Sequence, residues 1–245
     1  MFLMKRFILL KWTLYFLTLV LLYRLGGLVA FYVETFSGET AGKDVCVVVV
    51  DPGHGGPDPG KVGTRTMGDD TEVLEKDVNL QIARKLKTFL EQGGIQVHMT
   101  REEDVDLSSQ GGASAGSRKK ASDMSARVAM INALKPDLTV SIHQNSFPQQ
   151  NISGGQIFYH RGSEAGKVAA AILQKAIGEL QTENHRQPKA NDDYYLLVHT
   201  DTPTVIAECG FLTNPEECEL LCDEEYQEQL AWKLYMGIIR YLRKR

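Results

Sequence analysis

Residues 45–56 read VCVVVVDPGHGG, and this stretch decides the fold. Val45–Val50 is a continuous apolar, mostly β-branched run, without the alternation of a strand that keeps one wet face. It predicts a buried strand, central in a sheet covered on both faces. DPGHGG is then the loop at the carboxyl end of that strand. In open α/β sheets, ligands bind beyond the carboxyl ends of strands. His54 therefore stands where chemistry is expected.

Working outward, Val78–Glu91 (VNLQIARKLKTFLE) places Leu80, Ala83, Leu86 and Leu90 at helical spacing, and Gly93-Gly94 ends that helix. Ile95–Thr100 reads as a second strand. Residues 101–122 are polar and rich in Ser and Gly, which predicts a surface loop. Asp123 is placed to cap a helix through Leu134 that stops before Pro136. Leu138–Ile142 is a third strand, delivering His143, and Ile157–His160 is a fourth. Glu164–Leu180 reads as a helix and 181–193 as a polar loop. Thr204–Ala207 is a further strand, delivering Glu208, and Pro215–Tyr241 is mostly helical. This alternation predicts a single α/β domain over residues 45–245. Its sheet should be twisted, largely parallel or mixed, with helices on both faces.

The first 44 residues have another character. Lys5 and Arg6 precede a mostly apolar stretch, Phe7–Val33, interrupted by Lys11 and Arg24. The uninterrupted part, Trp12–Tyr23, has 12 residues, too few to span a bilayer alone. Residues 1–33 read as a signal peptide or an uncleaved signal anchor, and residues 34–44 as a polar linker. Leu28-Val29-Ala30 is a poor cleavage cue. Both readings put the folded domain outside the membrane, with the basic end in the cytoplasm.

The chain has 245 residues and a net charge of −4, from 27 basic and 31 acidic side chains. That balance leaves no electrostatic footprint for nucleic acid. With 43% hydrophobic and 24% charged residues, neither disorder nor a multi-span membrane protein fits. Four cysteines do not make a disulfide scaffold. Cys218 and Cys222 lack the CxxC spacing of a zinc knuckle. Cys209 has no evident base to make it a nucleophile; an exported chain is compatible with a disulfide, whose partners the sequence does not assign.

His54 and His143 follow strands, Glu208 does too, and Glu75 just precedes a helix. Two imidazoles, one carboxylate and a water suit a catalytic zinc ion, and a second carboxylate would act as general base. Each residue has a plainer reading. The turn at His54 competes as a phosphate loop, though it lacks GxGxxG spacing and the Lys-Ser/Thr of a P-loop. His143 alone is compatible with a satisfied histidine at a strand end. Glu75 sits among Asp69, Asp70, Glu72 and Asp77, where an acid favoured by the helix dipole is the default. Glu208 follows three apolar residues, and a carboxylate there needs a partner. His199 is placed to line a cleft; His98, His160 and His185 have no matching context.

Five ordered stretches carry a family resemblance: VVVDPGHGGPDPG (48–60), LEKDVNLQIARKL (74–86), MTREED (99–104), PDLTVSIHQNS (136–146) and VIAECGFLTNPEE (205–217). They resemble the motifs of zinc-dependent N-acetylmuramoyl-L-alanine amidases of the amidase-3 family. SRKKASDMSARVAMIN (117–132) and the layout of one apolar leader with one domain are similar to the germination-specific, spore-cortex branch. The resemblance implies one zinc ion held by His54, Glu75 and His143, with Glu208 as the catalytic carboxylate. It implies cleavage between N-acetylmuramic acid and L-alanine of peptidoglycan, on the cortex side of the forespore, ahead of muramic δ-lactam formation. It also implies attachment to the membrane through the N-terminal segment, and an accessory lipoprotein as a possible partner. Two departures stand out. Gln144 replaces a small residue and Cys209 an aliphatic one, and both are expected to alter the substrate cleft or the fit of an accessory protein. The rival readings are a metal-dependent deacetylase of wall sugars and a non-enzymatic wall-binding module.

Overall fold

A run of valines has nowhere to go but between two apolar layers, and β1 (Val47–Pro52) takes that place. Val48, Val49 and Val50 are fully buried. Burial of each such side chain contributes on the order of 1.5–3 kcal/mol. The computed structural model describes residues 45–65, 71–108 and 117–244. The leader and linker expected over 1–44, and part of the loop expected over 101–122, lie outside the described residues. None of the described helices is long and apolar enough to cross a membrane.

The other strands are β2 (Val62–Thr64), β3 (Glu72–Leu74), β4 (Gln96–Met99), β5 (Leu138–Asn145), β6 (Gln156–Tyr159), β7 (Lys189–Ala190) and β8 (Thr204–Phe211). The helices are α1 (Glu75–Gln92), α2 (Ser117–Leu134), α3 (Glu164–Gly178), α4 (Tyr195–His199), α5 (Pro215–Cys222) and α6 (Glu224–Leu242). Six strands form one sheet in the order β4-β1-β5-β8-β6-β7, and β2–β3 is a separate hairpin. β4, β1, β5 and β8 run parallel, because each connection between them carries helix. No helix separates β5 from β6, and β6 returns antiparallel to β8. The sheet is therefore mixed.

Alternation sorts the side chains onto two faces. Val48, Val50, Val140, Ile142, Val205 and Ala207 pack in one core with the apolar stripes of α1, α3 and α6. Val49 packs with Ile131 of α2 and Leu196 of α4 on the other face. Helices cover both faces, as the valine run requires.

Several boundaries differ from the sequence expectation. Glu75 is the first residue of α1 rather than its predecessor. β5 and β8 continue past Ile142 and Ala207, so His143 and Glu208 lie inside strands. α2 begins at Ser117, and Asp123 is not its cap. Its carboxylate instead accepts the Leu107 N–H (2.8 Å) and the Arg127 Nε–H (2.7 Å), tying the preceding loop to the helix. The expected 215–241 helix breaks at Asp223, which has extended backbone and caps α6 through the Tyr226 N–H.

Candidate active site

Strand register builds the site. Asp51 pairs with Ser141 across β1–β5, and His143 pairs with Glu208 across β5–β8. Ser141 and His143 are two apart, so all four side chains share the sheet face covered by α2 and α4. A register irregularity follows His143, and the ladder resumes with Asn145 opposite Phe211.

The loop after β1 needs its glycines. His54 has φ +62°, a left-handed conformation uncommon for a residue with a side chain, and Gly55 (+136°) and Gly56 (+56°) continue the turn. A Cβ on Gly53 would lie 2.1 Å from the His143 ring. The carbonyls this turn exposes are collected by two arginines. Arg101 donates to Pro52 O and Gly53 O (both 3.0 Å). Arg127 donates to Pro52 O (2.9 Å) and His54 O (2.7 Å). Arg127 also meets Asp51 at 2.6 Å. Asp51 accepts from Ser141 and Thr100 as well, each at 2.6 Å. Burial alone would raise the Asp51 pKa, but Arg127 and the hydroxyls hold it at about 2.

Glu75 is brought in by the N-terminus of α1 and is almost fully buried. Its Oε1 lies 3.0 Å from His143 Nδ1 and 3.2 Å from His54 Nε2. The N–H of Gln144 donates to the same oxygen (3.1 Å), and that of Lys61 donates to Oε2 (2.8 Å). One ligating atom from each of His54, Glu75 and His143 lies within 4.8 Å of the others, the one such grouping among the described residues. The imidazoles stand edge to face, 5.0 Å apart. Burial would raise the Glu75 pKa, yet hydrogen bonds from His143 and His54 hold it far below the usual carboxylate range. Burial lowers the His143 pKa, and Glu75 more than reverses that. The second nitrogen of His54, Nδ1, sits 3.0 Å from Asp58 Oδ2.

Glu208 is 6% exposed. Tyr194 donates its hydroxyl to Oε1 at 3.2 Å. Oε2 is buried with no partner among the described residues. Burial pushes the Glu208 carboxyl above its ordinary value, against the pull of His143. These groups line a cleft of about 650 Å³ whose other walls include Met124 of α2 and Tyr195 of α4.

The model of the family described as N-acetylmuramoyl-L-alanine amidase (amidase-3) matches residues 48–240. The chain belongs to that family. It is 38% identical over 195 residues to the germination-specific N-acetylmuramoyl-L-alanine amidase of Bacillus subtilis, covering 80% of this chain and 79% of that one. Among solved structures it is similar to the CwlD amidase of Clostridioides difficile, determined in complex with the GerS lipoprotein. That match has a TM-score of 0.74 and 36% identity, covering 82% of this chain and all of that one. An amidase from Clostridium difficile 630 matches with a TM-score of 0.68 and 30% identity, over 83% of this chain and all of that one.

In this amidase the four residues that the sequence marks converge, and several of their supports carry no motif signal. Tyr194, Asp58, Arg101 and Arg127 touch the site or its loop. Asp58 had a local signal, a carboxylate four residues after His54; the others lie far away in the chain. His199 stacks on Tyr195 at 3.9 Å and is not itself a cleft wall. Cys209 does not reshape the cleft as expected. Alternation turns it to the face opposite Glu208, into the helix-packed core, where burial pushes its thiol far up. Gln144 is buried, and its amide donates to Asn79 Oδ1 on α1 (3.1 Å). All four cysteines are free thiols.

Proposed function

We propose that this amidase is zinc-dependent and cuts spore-cortex peptidoglycan between the lactyl group of N-acetylmuramic acid and L-alanine. His54, Glu75 and His143 hold the ion, and Glu208 moves the proton. The observation that carries this reading is the convergence of three donor atoms beside a buried carboxylate, one of whose oxygens has no partner among the described residues. Two nitrogens and one oxygen are a donor set of catalytic zinc, which keeps a position free for substrate or water. Bound there, zinc supplies Lewis-acid polarisation of the scissile carbonyl and acidifies water.

The protein's own groups do the rest. Asp58 can only accept, so with the ion bound it fixes the proton of His54 on Nδ1 and leaves the Nε2 lone pair as the metal donor. Arg101 and Arg127 hold the strained His54 turn by its carbonyls. Tyr194 occupies Oε1 of Glu208, leaving Oε2 to take a proton from the attacking water. Burial raises the proton affinity of that carboxylate, which suits it to pass the proton on to the leaving amine.

The cortex assignment is supported by the germination-specific relative. In this proposal the cut comes ahead of muramic δ-lactam formation by a separate deacetylase. Residues 1–33 export the domain or anchor it, so that it works outside the membrane on the cortex side of the forespore. A lipoprotein partner is supported by the relative solved with one. The test is mass analysis of spore peptidoglycan digested by the zinc-replete protein. Free stem peptides beginning at L-alanine are expected. Free acetate, or no cleavage, overturns the reading.

A further inference from the structure

The sheet edge that carries the cleft also carries a second cavity, of about 630 Å³. The chain segment that follows β5 runs from one to the other. Asn145 and Ser146, at the end of β5, line the cleft, and Gln150 and Asn151, in the loop that follows, line the second cavity. The five residues 147–151, FPQQN, are all exposed. Phe147 leaves 47% of its surface to solvent, and the side chains of Phe147, Gln149, Gln150 and Asn151 have no partner among the described residues. The backbone beneath them is nevertheless pinned. The Phe147 N–H donates to Thr213 Oγ1 (3.0 Å), the Ile152 N–H to Gln149 O (3.3 Å), and Asn214 Nδ2 to Ile152 O (3.4 Å). Behind the loop, Gln181 Nε2 donates to the Tyr226 hydroxyl and Asn184 Nδ2 to Gln181 Oε1, both at 2.9 Å.

We propose that the Phe147–Asn151 loop and the cavity behind it form a second subsite, which holds a neighbouring saccharide of the glycan strand while the cleft holds the scissile amide. The reading rests on peptidoglycan as the substrate of the cleft. The loop is continuous with that cleft, and a polymer leaving it over Ser146 meets the exposed ring next. A flat aromatic face takes the apolar face of a sugar, and unpaired side-chain amides, each with donors and acceptors, take hydroxyl and acetamido groups. The cavity wall contains no lysine or arginine and has three glutamates, which disfavours an acidic ligand and accommodates a neutral sugar.

The experiment compares full-length wild type with Phe147→Ala and with Gln150→Ala/Asn151→Ala. The two substrates are glycan strands bearing stem peptides and a monomeric N-acetylmuramoyl-peptide. The wild type should favour strands through a lower KM, and each variant should lose that preference roughly tenfold, equivalent to about 1.4 kcal/mol. Melting temperatures of these exposed-loop variants should match the wild type. A wild type without strand preference, or variants that retain it, overturns the subsite. Hydrolysis of the monomer reports separately on the amidase reading.

Discussion

Gly53 has no room for any side chain, since its Cβ would lie 2.1 Å from the ring of His143. Gly53→Ala should displace His143 and empty the metal site, measured as zinc retained after dialysis, while the fold persists. Glu208→Gln should keep zinc but lose turnover by about 100-fold or more, the scale of a positioned acid–base group. Tyr194→Phe should fall between wild type and Glu208→Gln in kcat, with zinc content unchanged. The four central residues could be found in the sequence because three follow apolar strand runs and all lie in ordered motifs. Arg127 could not, because it meets Asp51 across 76 residues and looks like any cation on a helix. That buried pair sets an acid limit. The folded Asp51 pKa, about 2, lies below the ordinary 3.8. The stabilisation is complete above about pH 4 and is lost as pH falls toward 2, an effect of about 2 kcal/mol. Glu75, shifted the same way, adds to it. Melting curves from pH 5 to pH 2 should follow that slope. Arg127→Ala, which strands a buried carboxylate, should cost about 3–5 kcal/mol at neutral pH.

At the scale of elements, type was easier to read than extent. The helical stripe of α1 marks its core-facing turns, but its first turn is polar, so the periodicity does not extend to Glu75. β5 and β8 outrun their apolar runs because polar side chains at the sheet edge face the cleft. β2 and β3, with three residues each, are too short to show a period. The break between α5 and α6 is one extended residue, and its capping aspartate was the available signal. The Asp223 side chain takes the Tyr226 N–H at 2.8 Å. Asp223→Ala should cost about 1 kcal/mol in denaturant-induced unfolding, a typical loss for an N-cap.

For the whole molecule, the sheet order matters more than any single contact. Parallel β1, β5 and β8 bring three carboxyl ends together, and α1 returns its N-terminus to the same edge. Residues more than 150 apart in sequence thereby become neighbours. An ion bound only by the folded state adds stability by mass action, about 2.7 kcal/mol at 100 times its Kd. Removal of the ion by a chelator should therefore lower the melting temperature of the wild type and leave a His54→Ala/His143→Ala variant almost unmoved. Whether a zinc ion sits among these three side chains is decided by anomalous diffraction at the zinc absorption edge, from crystals of the zinc-replete amidase. One peak is expected within bonding distance, about 2.0–2.2 Å, of His54, Glu75 and His143. A peak held by other residues, or none in crystals of protein that still hydrolyses its substrate, would contradict it.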